Sequence, residues 1–215
     1  MGHPVFARLY ERMVPSLDRA GGAAHRNELL AGLSGRVIEI GAGSGLCFAH
    51  YPDTVTEVVA VEPEPSLRRA AQCAAQSVEI AVSVVDGHAG QLPAEDASFD
   101  AAVASLVLCS VPDPRAALSE VRRVLRPGGE LRFFEHLRSE DPGQARLQDR
   151  VDWVWSHVLG GCHPNRDTVA TIDAAGFSIS TCRRFEFRPC VLSAPASPHV
   201  IGRAVTIGHE RARDV

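Results

Sequence analysis

The residues best placed to do chemistry form two groups. The first is a glycine turn with carboxylates on both sides. Gly41-Ala42-Gly43-Ser44-Gly45 directly follows the apolar run Arg36-Val37-Ile38-Glu39-Ile40. Glycines in such a turn let backbone N–H groups approach a ligand closely at the start of a helix. Glu39 lies two residues before Gly41, and Glu62 follows a second apolar run, 57–61, just ahead of Pro63. Glu62 stands about 20 residues beyond the turn, a separation at which an acid accepts hydrogen bonds from a ribose diol. The plain alternatives are a solvated loop acid at Glu62 and a capping or salt-bridged acid at Glu39. A dinucleotide loop would carry its third glycine at position 46, where this chain has Leu46.

The second group comprises Cys109, Glu135, His136, Asp152, Trp153, Trp155, His157, Cys162, His163 and Arg166. In an open α/β sheet, ligands bind at the carboxyl ends of the strands, and Glu135-His136 ends a strand-like run. His136 is therefore the first candidate for a base or a hydrogen bond to substrate, with Glu135 beside it. The bland alternative is a histidine paired with a neighbouring backbone or carboxylate group. Asp152 and His157, five residues apart, do not share one helical face cleanly. Trp153 and Trp155 point different ways, so at most one lines a pocket. Cys109, Trp153, His157, Cys162 and Arg166 are the candidate substrate contacts, with packing as the competing role for Cys109. No cysteine pair has the two-residue gap of a zinc knuckle or redox motif. Spacing thus predicts no metal site, the set Cys109, Cys162 and His163 included.

These groups must be positioned by an alternation of strands and helices. Strands are expected at 36–40, 57–61, 78–85, 99–108 and 130–134, with helices at 66–75 and 114–125. Pro127-Gly128-Gly129 stops the second helix. Such alternation implies βαβ units and a parallel sheet. Further helices are expected at 146–159 and 168–175, and apolar stretches 177–187 and 199–207 can pair as a hairpin at one edge. Amphipathic segments 5–17 and 23–33 precede the first strand and could cover the open face. The expectation is a Rossmann-like, doubly wound sheet of about seven strands, mostly parallel, with an antiparallel edge hairpin. It forms one domain over 1–215: N-terminal cap helices (1–34), a ligand-binding core (35–135) and a substrate-side part (136–207).

Four segments carry a family resemblance. Residues 37–45 resemble motif I of the class I S-adenosylmethionine-dependent methyltransferases. Val61-Glu62-Pro63 resembles the ribose-binding motif, Phe99-Asp100-Ala101-Ala102-Val103 the fourth-strand motif, and VRRVLRPGG at 121–129 the signature before the fifth strand. The resemblance spans roughly residues 5 to 207 and implies S-adenosylmethionine as cofactor. It implies that Gly41, Ala42, Gly43, Ser44 and Gly45 lie against the methionine part, that Glu39 orients its ammonium, and that Glu62 with Pro63 holds the ribose. An acid commonly precedes the Leu-Pro after the third strand by four positions; here that position is His88. The adenine contact then falls to Asp86, Gly87, His88 and Ala89, the Ala89 N–H foremost. Ala104, Ser105 and Leu106 would floor the methyl group, and Tyr10 resembles a cofactor-covering tyrosine.

A narrower resemblance runs through Leu106-Val107-Leu108-Cys109-Ser110-Val111, Phe134-Glu135-His136, and Gly161-Cys162 with Arg166 beyond. It is to the alkyl-thiol methyltransferases of methyltransferase-like family 7. It implies methyl transfer to a small lipophilic acceptor, sulfur first, with phenolic or quinol oxygen and a phospholipid headgroup nitrogen as alternatives. A nicotinamide oxidoreductase is disfavoured by Leu46; a cofactor-sensing or partner-binding module stays open.

Composition agrees with a small-molecule enzyme. The 215 residues are 45% hydrophobic and 22% charged, with a net charge of -4. An acidic chain offers no electrostatic footprint for nucleic acid. All 22 basic residues are arginine, which removes lysine Schiff-base and P-loop chemistry. No apolar run reaches the roughly 18 residues of a membrane span. The first ten residues read as neither signal nor anchor, so a cytoplasmic protein is expected. A lipophilic substrate still fits peripheral membrane contact, and the protein as a monomer or homodimer.

Overall fold

The computed structural model describes residues 17–206. A π-helical turn at Asp18–Gly22 leads into α1 (Ala23–Leu30), β1 (Gly35–Ile40), a 3₁₀ turn at Phe48–His50, β2 (Val55–Val61), α2 (Pro65–Ala75) and β3 (Ala81–Val85). Then come β4 (Phe99–Ser105), α3 (Pro114–Val124), β5 (Leu125–His136), α4 (Pro142–Val158) and α5 (Thr168–Ala174). The chain closes with β6 (Phe177–Glu186), a 3₁₀ turn at Val191–Ala196 and β7 (Pro198–Thr206).

The strands form one seven-stranded sheet in the order β3-β2-β1-β4-β5-β7-β6. The five strands from β3 to β5 are parallel; β7 runs antiparallel to both β5 and β6. The expected doubly wound sheet with an antiparallel edge is the observed architecture. Strand order reverses between β1 and β4, and a ligand crevice opens at the carboxyl ends beside such a reversal.

Strand alternation builds two cores. Ile38 and Ile40, Val59 and Val61, and Ala102 and Ala104 point to one face, where Leu118, Val121, Val124 and Ile172 cover them. Val37, Val58 and Ala60, and Ala101 and Val103 point to the other, beneath Leu29, Leu30, Leu33 and Phe48. Burial on both faces explains why these strands read as nearly continuous apolar runs.

Acidic caps set the helix starts. Asp113 accepts hydrogen bonds from the Arg115 and Ala116 N–H groups, Asp141 from Gln144, and Asp167 from Ala170. Pro65, Pro114 and Pro142 occupy the first turns, where a missing N–H costs nothing. The helix expected from 146 therefore begins at Pro142, because Asp141-Pro142 is a start signal that outranks the apolar spacing. The third strand is shorter than the expected 78–85, since pairing with β2 begins only at Ala81. The fourth ends at Ser105 rather than 108, because Leu106 turns into the left-handed region (φ 59). The segment expected at 23–33 forms α1. Residues 5–16 of the earlier cap segment, with Tyr10, lie outside the described residues.

Candidate active site

The cofactor side stands at the ends of β1 and β2. Gly41, Gly43 and Gly45 have φ of 61°, 58° and 82°, a region in which side chains are disfavoured. At Gly41 a Cβ would stand 2.6 Å from the Val107 side chain, and at Gly45 2.6 Å from the Phe48 ring. The turn is thus pressed against the segment that follows β4. The Glu62 carboxylate accepts from the Gly43 N–H at 2.8 Å and the Glu64 N–H at 2.8 Å. Each oxygen keeps a further lone pair, which suits a diol. Burial raises the Glu62 pKa against the pull of these two bonds.

Glu39 is buried and accepts from the Tyr51 hydroxyl at 2.9 Å. Burial pushes its pKa up to about 7, opposed by the Tyr51 and Cys47 hydrogen bonds. Arg26, on α1, is buried and pairs with Asp18. No motif in the sequence marks Tyr51 or Arg26. Tyr51 follows the 3₁₀ turn with no motif around it; only the fold brings its hydroxyl to Glu39.

The adenine-side candidates are less enclosed. Asp86 and His88 are exposed, whereas Ala89 is half-buried against the core. Asp86 accepts from Arg68 at 2.8 Å, and the same guanidinium donates to the carbonyls of Glu62 and Pro63. Arg68 therefore ties the Asp86 loop to the ribose-side strand end. Ala104 is buried, while Ser105 and Leu106 are half-exposed at the end of β4, as a floor requires.

The second candidate group stands at the ends of β4 and β5. Leu106, an unfavourable left-handed position for a branched side chain, donates its N–H to the Phe134 carbonyl at 2.7 Å. The turn it starts aims three consecutive N–H groups at Glu135. That carboxylate accepts from Val107 at 2.9 Å, Leu108 at 2.8 Å and Cys109 at 3.1 Å, and is fully buried. Burial outweighs these bonds and pushes its pKa well above the usual carboxylate range. The oxygens of Glu135, expected beside His136 as a catalytic pair, face backbone donors and hold the Cys109 turn.

That turn brings three reactive side chains together. Cys109 Sγ lies 3.3 Å from His136 Nδ1, Cys162 Sγ also 3.3 Å from it, and the two sulfurs are 3.9 Å apart. Both cysteines are buried and His136 is partly so. The neighbouring Cys162 thiol and burial push the Cys109 pKa up. The His136 ring also lies 4.6 Å from that of His199, tilted against it, and the His199 ring continues into Phe134, Phe185 and Phe187. Burial holds the His199 pKa down at about 3, so the ring is neutral. This aromatic wall is contributed by β5, β6 and β7 together.

Three other candidate residues have partners of their own or lie in solvent. Arg166 donates to the carbonyls of Leu108 and Val111 at 2.9 and 2.7 Å, clamping the turn. Trp153 is 71% exposed and His157, also exposed, faces the Trp153 carbonyl at 2.6 Å. Both lie on the solvent side of α4; Trp155 lies on its half-buried side. Asp152 pairs with His163 at 3.0 Å instead of His157.

A methyltransferase-domain family model matches residues 38–133. Thiol S-methyltransferase TMT1B of Rattus norvegicus is 36% identical over 183 residues, covering 82% of this chain and 73% of that protein. Thiol S-methyltransferase TMT1A of Homo sapiens is 31% identical over 186 residues, covering 81% and 73%.

The chain belongs to the class I S-adenosylmethionine-dependent methyltransferases.

Solved structures agree on the methyltransferase's fold. A SAM-dependent methyltransferase of Thermotoga maritima superposes with TM-score 0.70 at 24% identity, covering 94% of this chain and 97% of that one. Geranyl diphosphate methyltransferase in complex with SAM gives TM-score 0.68 at 13% identity, covering 87% and 85%. The cofactor is S-adenosylmethionine, and the residues present fit it. The turn at 41–45 offers close backbone approach, Glu39 a buried carboxylate for an ammonium, and Glu62 free lone pairs for hydroxyls. Among the described residues, no helix is long and apolar enough to cross a membrane.

Proposed function

We propose that this methyltransferase methylates the sulfur of a small, lipophilic thiol. The carrying observation is the 36% identity, over most of both chains, to proteins named thiol S-methyltransferases. The site chemistry supports it. Sulfur and imidazole gather at the ends of β4 and β5, beside an aromatic wall suited to an alkyl or aryl group. A thiol has a reference pKa near about 8.5 and needs little help from a base, which agrees with the Glu135 carboxylate beside the cluster being occupied by backbone N–H groups.

S-Adenosylmethionine supplies a methyl group on a sulfonium whose positive charge is lost on reaction. The chain's own residues bind, orient and desolvate. Glu39 and the 41–45 turn take the amino-acid end, Glu62 the ribose, and Ala89 the adenine. Ser105 and Leu106 border the methyl group, while His136 meets the acceptor. Proximity in a water-poor site is the main source of rate. The six free cysteines fit a reducing compartment, and we propose the cytoplasm.

The test is S-adenosylhomocysteine release by purified protein on a panel of alkyl thiols, phenols and quinols. Turnover confined to thiols is expected. Turnover on phenols or quinols alone would overturn the proposal.

A further inference from the structure

Spacing along the chain gave no metal motif, yet the fold assembles one. We propose that Cys109, His136 and Cys162 are three protein ligands of a zinc ion whose fourth position receives the acceptor sulfur. The second half of this statement rests on the thiol reading above; the first does not.

The geometry carries the metal. Zinc bonds thiolate at about 2.3 Å and imidazole nitrogen at about 2.0–2.1 Å in tetrahedral sites. Tetrahedral angles then place two sulfurs about 3.8 Å apart and sulfur and nitrogen about 3.5 Å apart. The observed separations are 3.9 Å between the sulfurs and 3.3 Å from each sulfur to His136 Nδ1. One ring nitrogen faces both sulfurs, as a shared ion between them requires. A disulfide would need the sulfurs at about 2.05 Å and would leave the imidazole without a purpose. Two thiolates and an imidazole are the donor set that selects zinc over magnesium or calcium, and two thiolates neutralise its charge.

The surrounding structure holds the ligands in place. The His163 N–H donates to the Cys109 carbonyl at 2.8 Å, tying the Cys162 loop to the Cys109 turn. At Gly161 a Cβ would come within 2.9 Å of the Ser110 carbonyl oxygen, so only glycine lets the two loops approach this closely. The Thr168 hydroxyl donates to the His136 carbonyl at 3.2 Å. Three protein ligands with an open position are the pattern of catalytic rather than structural zinc. The cluster also adjoins the cofactor side: Val107, two residues before Cys109, packs on Gly41.

The step balances without an oxidant. A thiol enters the fourth position, displacing water; its S–H bond breaks, the proton leaves to solvent and a zinc–sulfur bond forms. The sulfur lone pair then forms the new S–CH3 bond as the sulfonium–methyl bond breaks. The thioether product is neutral, binds zinc weakly and departs.

The full chain, purified without chelator and with zinc in the growth medium, is assayed for bound metal by elemental analysis. About one zinc per chain is expected. Cobalt(II) added to metal-free protein should give thiolate-to-metal charge-transfer absorption of a tetrahedral site. Cys162→Ser and Cys109→Ser should each weaken metal binding by more than about 100-fold, whereas Cys73→Ser should not. Should both variants fail to fold, the wild-type cobalt spectrum alone decides. No retained zinc and no charge-transfer band, or a Cys109–Cys162 disulfide in freshly purified protein, would overturn the site. Chelator-treated protein should lose thiol methylation and recover it with zinc; an unchanged rate would overturn the catalytic half only. Zinc bound tightly by a protein inactive on every thiol would sink the thiol reading and leave the metal site standing.

Discussion

The two halves of the strand-end crevice are built on different principles. The cofactor half draws its groups from one βαβ stretch: Glu39 and the glycine turn end β1, and Glu62 ends β2. Its chemistry is backbone N–H groups and carboxylates. The half proposed for the acceptor gathers Cys109, His136 and Cys162 from three separated segments, and its chemistry is sulfur and imidazole. The halves touch where Gly41 packs on Val107. A cofactor of fixed shape is served by a compact local motif. An acceptor site is assembled from loops, which can change without disturbing the first half.

The largest expected effect tests whether Glu135 belongs to structure or to chemistry. Glu135→Ala leaves three buried N–H groups without acceptors, at a cost of about 3 kcal/mol or more. For a chain of this size that lowers the melting temperature by about 6–12 °C. A variant that melts like wild type but loses turnover would return Glu135 to the catalytic group.

Next comes the contact between halves. Gly41→Ala puts a Cβ against Val107 in a left-handed backbone position. Calorimetry should show cofactor affinity reduced about tenfold or more, equivalent to about 1.4 kcal/mol. Undiminished affinity would mean the turn yields without touching the ligand.

The halves should also separate by pH. Glu39 has its folded pKa raised to about 7 from an ordinary 4.5. The folded state therefore holds this proton more tightly than the unfolded one. Its contribution to stability is complete below 4.5 and is lost as pH rises through about 7. On the role proposed for Glu39 toward the cofactor's ammonium, cofactor binding runs the other way, since an ammonium needs the carboxylate. Affinity should climb as pH passes through about 7, and Glu39→Gln should flatten that climb. The acceptor-side His199, held near 3 by burial, has the opposite sign for stability. Its contribution is present above the ordinary 6.5 and is lost as pH falls toward about 3.

The smallest effect concerns the tryptophans. Trp153→Ala, on the exposed side of α4, should change kcat/KM by less than about twofold, in keeping with surface substitutions of roughly ±0.5 kcal/mol. Trp155→Ala should cost more, because Trp155 is half-buried. The reverse order would place the acceptor on the outer side of α4.

Local signals carried much of the molecule. Glycines 41, 43 and 45 need their left-handed backbone, and the sequence placed them directly after a β-branched strand. Glu62 lay at the ribose distance, and it does stand beside Gly43. The five interior strands and both edge strands were legible because alternation and apolar runs are short-range consequences of burial. The start of α4 differs from the expected Arg146: apolar periodicity begins there, whereas the Asp141 cap and Pro142 start the helix four residues earlier.

What the tertiary structure decided is which groups meet. Nothing near Tyr51 announces Glu39, and nothing near Arg166 announces the carbonyls of Leu108 and Val111. Cys109, His136 and Cys162 have no spacing in common. They meet because β4 and β5 pair in one register, Leu106 turns the chain, and Gly161 lets a distant loop close over Ser110. Sequence order fixes contacts within a turn or a strand end, where chain geometry leaves few choices. Contacts between elements depend on strand register and loop closure, which are settled only when the whole core packs.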